Sequence, residues 1–142
     1  MKQDVLLKKM VLDLLKENPF LTKNDIMWRL NLKHQTATSV LSKLHDAGLI
    51  YVTGITAEKI NIYAPTQNEK EKEFVGYVRR LRKEKRLLVR ALKSNVFLGT
   101  TKDDLMRNIE SKQHLLDYYL EVFFVENPEL EKKFEFYWKI KK

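Results

Sequence analysis

The chain has 142 residues, 44% of them hydrophobic and 32% charged, which suffices for one globular domain or for a small domain with an attached helical unit. It contains no Cys, and this excludes disulfides, thiolate metal sites and a cysteine nucleophile. Gly and Pro number only 4 and 3, which disfavours a turn-rich all-β fold and favours a mainly α-helical one.

The balance of charges is basic. Lys and Arg total 27 against 19 Asp and Glu, a formal net charge of +8, and basic domains often bind polyanions. The amino-terminal apolar runs are broken by Lys and Asp, and no stretch approaches the roughly 18 apolar residues of a membrane span. We therefore expect a soluble, cytoplasmic protein without a signal peptide.

Residues 1–65 predict three helices and a hairpin. A first amphipathic helix is predicted from apolar residues at helical spacing, and Asn18-Pro19 ends it. A second helix begins at Thr22, because Thr22 and Asp25 fit a capping box. The apolar positions of a third helix, Ala37, Val40, Leu41 and Leu44, again repeat at helical spacing.

Gly48 suits the left-handed residue that ends the third helix. Two β-prone runs, 49–52 and 60–63, follow it and are separated by 54–59, and Pro65 closes the second. This pattern predicts a β-hairpin.

Three helices and a hairpin, with a tight turn between the second and third helices, form the order of a winged helix-turn-helix. Residues 30–50 resemble winged-helix transcriptional regulators of the MarR-like kind and winged-helix proteins common in phages. The matching features are Leu32 before the turn, Ala37 at the helix crossing and Gly48-Leu49-Ile50 leading into the wing. The resemblance covers about residues 4–64, and we recognise no family in 66–142. It implies sequence-specific binding of double-stranded DNA, in a transcriptional regulator such as a repressor.

The outer face of the third helix independently favours DNA. Gln35, Thr38, Ser39 and Ser42 share this face, whereas an ordinary solvated face uses the better helix formers Glu, Lys and Arg. Gln pairs with adenine, and Ser and Thr bond other base edges. Lys33, His34 and Thr36 lie at the amino terminus of this helix, where free backbone amides favour binding of a DNA phosphate. The predicted DNA-binding residues are Lys33, His34, Gln35, Thr36, Thr38, Ser39, Ser42, Lys43 and, in the wing, Lys59.

No motif for chemistry stands out. The three His are far apart without Cys partners, and the phosphate-binding and nucleophile motifs of enzymes are absent from the sequence. We therefore expect no metal, no cofactor and no enzymatic activity.

A long helix is predicted over about 68–93. One side of it carries an apolar seam, Phe74, Val78, Leu81, Leu88 and Leu92, with Lys85 at the missing step. The other side carries the cations Arg79, Arg82, Lys83, Arg86 and Arg90. This cationic stripe is either a solvated face or a contact for phosphate or an acidic partner.

Two further helices are predicted, over 101–109 and 112–125. The second is apolar on nearly all sides, so part of it is expected in a subunit interface, or else inside a helical bundle of one chain. For 128–140, Asn127-Pro128 and the charge distribution favour helix, whereas the alternation Phe134, Phe136, Trp138, Ile140 suits a strand.

The sequence thus predicts a DNA-binding domain over 1–65 and a helical dimerisation or partner-binding region over 66–142. As a homodimer it would bind DNA with helix 34–47 in the major groove. Two alternatives stay open. One is an adaptor of phage origin whose winged helix binds a protein partner, and the other is an accessory protein of DNA replication or partition.

Overall fold

The computed structural model describes residues 2–95 and 99–139, and its element order confirms a mainly α-helical winged-helix fold. The elements are α1 (Lys2–Glu17), β1 (Leu21–Thr22), α2 (Lys23–Leu30), α3 (His34–Asp46), β2 (Ile50–Ile55), β3 (Asn61–Pro65), α4 (Glu69–Lys93), α5 (Lys102–Glu126), α6 (Pro128–Lys133) and α7 (Glu135–Lys139). None of the helices in these ranges is long and apolar enough to cross a bilayer.

The predicted hairpin is the wing, and it belongs to an antiparallel sheet of order β1-β3-β2. Strands β2 and β3 pair with Val52 opposite Tyr63, and a bulge follows Val52. Strand β1 was not expected from the sequence. It has two residues, with Leu21 opposite Tyr63, which is too short for an alternating pattern to mark.

The described residues group into two compact units, Met1–Tyr77 with Phe134–Lys142, and Val78–Lys133. The first turns of α4 belong with the winged helix, and so does α7. In the first unit the core side chains Val11, Leu15, Ile26 and Ile50 are fully buried.

Phe134, the residue before α7, adds an aromatic ring to the core of the first unit. The Phe134 ring lies 4.6 Å from that of Tyr51 and 5.0 Å from that of Phe74. The preference of 128–140 for helix is confirmed as far as residue 139, and the strand alternative is wrong there. Ile140 lies outside the described residues. The buried aromatic residues of this segment are Phe134 and Tyr137, three positions apart, so burial follows helical spacing and not the alternation.

In the second unit α5 is one helix, Lys102–Glu126, so the expected break between residues 109 and 112 is wrong. Glu110 and Ser111 include no Gly or Pro, and a single exposed Ser is a modest cost within a helix. Two bonds join α5 to α4 here: Lys112 donates to Glu84 (2.7 Å) and Lys85 to Gln113 (2.5 Å). Lys85 is the polar residue that interrupts the predicted apolar seam, and Gln113 is its hydrogen-bond partner.

The outer side of α5 is apolar and yet exposed. We expected protein to cover this apolar helix on most sides. Its inner face is covered, since Leu105, Leu116, Leu120 and Phe124 are buried. The exposed apolar residues of the outer side are Leu115, Tyr118, Val122 and Val125. Burial within one chain therefore accounts for only one face of this helix.

Candidate nucleic-acid interface

Helix α2 and the turn after it set the position of α3. The predicted capping box is present, because the Asp25 amide donates to Thr22 Oγ1 (3.2 Å) and the Thr22 amide donates to Asp25 Oδ2 (3.1 Å). At the other end Asn31 adopts a left-handed conformation, and the Leu32 amide donates to the Met27 carbonyl (2.9 Å). This compact ending leaves only three residues between the end of α2 and the start of α3.

The first turn of α3 presents amides and the cation Lys33 to solvent. Lys33 is the N-cap and forms no side-chain cap hydrogen bond. Lys33, His34 and Gln35 are exposed, and Thr36 is half-buried. Uncapped amides at a helix start carry partial positive charge and bind anions, so this end of α3 suits a phosphate.

The outer face of α3 is open to solvent along its predicted strip. Gln35, Thr38 and Ser39 are exposed and Ser42 is half-buried, while Ala37, Val40, Leu41 and Leu44 on the opposite face are buried. The strip therefore exposes hydrogen-bonding groups and no carboxylate. Such a surface can approach base edges without repelling the phosphates beside them.

Lys23 lies beside this strip, which sequence reasoning missed. Its ammonium donates to Thr38 Oγ1 (3.4 Å) from the first residue of α2. This cation stands next to a side chain predicted to read bases. The contact joins residues 15 positions apart on different helices, so no local pattern indicates it.

Lys43 is exposed, but it already has an anionic partner. Its ammonium donates to Asp4 Oδ2 of α1 (3.0 Å), and this hydrogen bond, with the Lys43 charge, lowers the pKa of the Asp4 carboxyl. Both side chains are about half exposed, so solvent weakens the pair. A phosphate could therefore displace Asp4 from Lys43.

The carboxyl end of α3 is fixed by buried contacts. The side chain of His45 is buried, and its Nε2 lies 2.8 Å from the Tyr137 hydroxyl of α7. That hydroxyl donates in turn to the Val75 carbonyl (3.3 Å). Gly48 takes the predicted left-handed conformation, with φ +77°.

The wing carries one cation at its tip. A turn closes through the Lys59 amide, which donates to the Thr56 carbonyl (2.9 Å). Lys59 itself is exposed and left-handed, with φ 64°. A residue with a side chain rarely holds this conformation, and here it occurs at the residue that closes the turn of the hairpin.

The predicted cationic stripe runs along α4 from Arg79 to Arg90. Lys83, Arg86 and Arg90 are exposed there, and Arg79 and Arg82 are half-buried. The carboxylate within this stretch, Glu84, accepts a hydrogen bond from Lys112. The stripe is thus a cationic surface separate from the α3 strip in sequence.

The described residues contain no group of three or more His, Cys, Asp or Glu that could hold a metal ion. His34 and His114 are exposed, whereas His45 is the partner of Tyr137.

No protein-family model and no curated protein matches the chain. Two solved structures of Lactococcus lactis ZitR are similar to it. A double mutant in its apo form is 20% identical, with 88% of this chain and 84% of that chain covered and a TM-score of 0.41. A cysteine-to-serine mutant is 20% identical, with coverages of 84% and 73% and a TM-score of 0.40. A likeness of this size assigns no function to the chain.

Proposed function

We propose that the protein binds double-stranded DNA sequence-specifically, as a homodimeric transcriptional regulator with α3 in the major groove. The observation that carries this proposal is the exposed, uncharged strip on α3. Such residues are a poor choice for a merely solvated helix and a good one for base edges.

The surroundings of the strip support the same reading. Lys33 and the uncapped amides of α3 would bind the phosphate beside the groove, Lys59 would bind the backbone at the wing, and Lys23 would add a contact next to Thr38. Two copies would place their α3 helices in successive major grooves, about 34 Å apart, on a roughly palindromic site.

The test starts with selection from a random duplex pool, followed by salt-titrated binding to the selected site. Gln35→Ala should cost about 1–3 kcal/mol on that site and much less on random DNA, because a base contact specifies sequence. Gln67→Ala, an exposed Gln outside α3, is the matched control. Equal losses on both DNAs would remove Gln35 from base readout.

The phosphate contacts make a separate prediction. Lys43→Ala should weaken binding to both DNAs alike and reduce the salt slope by about one. Asp4→Asn removes the competitor of Lys43 and should strengthen binding to both. An unchanged slope in the first variant, together with unchanged affinity in the second, would place Lys43 away from the DNA.

A second candidate function is supported by the exposure of Trp28. This residue of α2 is 84% exposed, and Trp is enriched among residues that anchor protein partners. An adaptor would bind its partner without DNA and show no salt-sensitive duplex binding. In that case Trp28→Ala would abolish partner capture, and Gln35→Ala would leave it intact.

A further inference from the structure

The outer side of α5 carries an apolar stripe that its own chain leaves exposed. Exposure is 47% at Leu115, 68% at Tyr118, 38% at Val122 and 77% at Val125. These four residues, named the α5 stripe below, follow steps of three, four and three. They are the a and d positions of a heptad repeat, so they line up along one side of the helix.

Single exposed apolar side chains are ordinary on a protein surface, but a contiguous row of them marks an interaction site. The a and d spacing suits another helix, since knobs at these positions fit holes on a facing helix. The inner face of α5 is already occupied, because Leu116, Leu120 and Phe124 are buried. Since the described residues of this chain leave the outer row exposed, a second molecule is the source of a covering helix that the dimer model below uses.

We infer that the α5 stripe is the homodimer contact, in which α5 packs antiparallel against α5 of a second copy. The two-fold axis would pass between Tyr118 and Val122. Leu115 would then meet Val125 of the partner subunit, and Tyr118 would meet Val122 of the partner subunit. The inference rests on the proposed function in one respect: the proposed regulator acts as a dimer, and the α5 stripe would be the contact of that dimer.

The charges beside the stripe select both the occupant and its direction. In a parallel pair, Glu121 would face Glu126 of the partner subunit and Arg107 would face Lys112 of the partner subunit, since g positions face e positions of the next heptad. Both contacts join like charges. In the antiparallel pair e faces e, so Lys112 faces Glu126 of the partner subunit, and opposite charges meet.

Two features of the antiparallel arrangement need accommodation. The Glu121 side chains of the two copies approach one another near the axis, where both are exposed to solvent that screens them. Lys112 already donates to Glu84 of its own chain. The Glu126 carboxylate of the partner subunit would therefore become its second acceptor, which an ammonium with three donors permits.

The first test measures the oligomeric state of the full chain by sedimentation equilibrium. Tyr118→Asp should raise the dimer dissociation constant at least about tenfold, because it places a charge in the centre of the contact. Met106→Asp is the matched control. Met106 is on the same helix and 44% exposed, but it lies off the stripe, so this variant should dimerise like the wild type.

The direction of the pair can be read by cross-linking, since the chain has no Cys of its own. Leu115→Cys protein mixed with Val125→Cys protein should form a disulfide-linked heterodimer under mild oxidation. Leu115→Cys alone should not cross-link. These substitutions replace exposed side chains and leave the inner face of α5 unchanged, so folding is retained.

A wild-type chain that stays monomeric, or a Tyr118→Asp variant that dimerises as tightly as Met106→Asp, would overturn the inference. Efficient cross-linking of Leu115→Cys alone would overturn the antiparallel direction. The proposed function fails separately. Suppose that the dimer forms through the α5 stripe but that Gln35→Ala loses the same affinity for selected and for random duplexes. Base readout by α3 is then refuted, and the dimer contact stands.

Discussion

Replacing Gly48 with Ala tests the packing that holds the end of α3 against α4. A Cβ built at this position lies 2.1 Å from the Lys72 carbonyl oxygen and 3.1 Å from the Gly76 amide nitrogen. Both atoms are backbone, so neither can turn aside as a side chain can. The corner between α3 and β2 would have to move away from α4 by about 1 Å to restore an ordinary contact.

The expected cost has two parts. Holding Ala at φ +77° costs about 1–2 kcal/mol, and relieving the contact with the backbone of α4 costs about 1–3 kcal/mol more. Gly48→Ala should therefore lower the free energy of unfolding by about 2–5 kcal/mol, a large share of the roughly 5–15 kcal/mol of a typical domain.

Urea unfolding followed by circular dichroism measures this loss, and Gly54→Ala is the matched control. Nothing lies within 4 Å of a Cβ at Gly54, and its φ is not positive. The control should stay within about 1 kcal/mol of the wild type. If Gly48→Ala were as stable as Gly54→Ala, the close approach of Gly48 to α4 would be refuted.

Three further predictions concern the same unit, each measured by urea unfolding. Tyr137→Phe should cost about 1–3 kcal/mol, because it leaves His45 without its hydroxyl partner; a neutral substitution would show that this bond adds nothing. Lys59→Gly should stabilise the protein by about 0.5–1 kcal/mol, since Gly accepts the left-handed conformation, and a loss of stability would contradict the strain. Burial, with a smaller contribution from Glu71, raises the pKa of Tyr51 to about 12. Stability linked to the protonated phenol should therefore be complete below about pH 10 and decline as the pH rises towards 12, and Tyr51→Phe should flatten this decline.

Local signals in the sequence predict much of the winged helix. The capping box of Thr22 and Asp25, the left-handed Gly48 and the helical spacing around Val40 each act within a few residues, and each is present in the structure. The break expected between residues 109 and 112 is wrong because Glu110 and Ser111 do not oppose a helix, and α5 continues through them. Elements shorter than one period, such as β1, leave no pattern to read.

Contacts between residues far apart in the sequence determine the rest of the site, and no sequence pattern predicts these contacts. The pair of Lys43 and Asp4 spans 39 positions, and that of His45 and Tyr137 spans 92. Side chains of these types are common on surfaces, so their pairing depends on the finished fold. The identity of the α3 strip and the cations Lys33 and Lys43 could be predicted from residue chemistry, but the position of Lys23 beside Thr38 could not.

The two ends of α3 are held by different means, and this bears on recognition. At its start the left-handed Asn31 leaves a short turn and open amides, while at its end Gly48 and the buried His45 fix the helix to α4 and α7. Base readout requires side chains positioned within a fraction of an ångström by a rigid support. A loss of the Tyr137 hydroxyl should then weaken binding to a selected duplex more than to random DNA, because phosphate contacts tolerate a shift that base contacts do not.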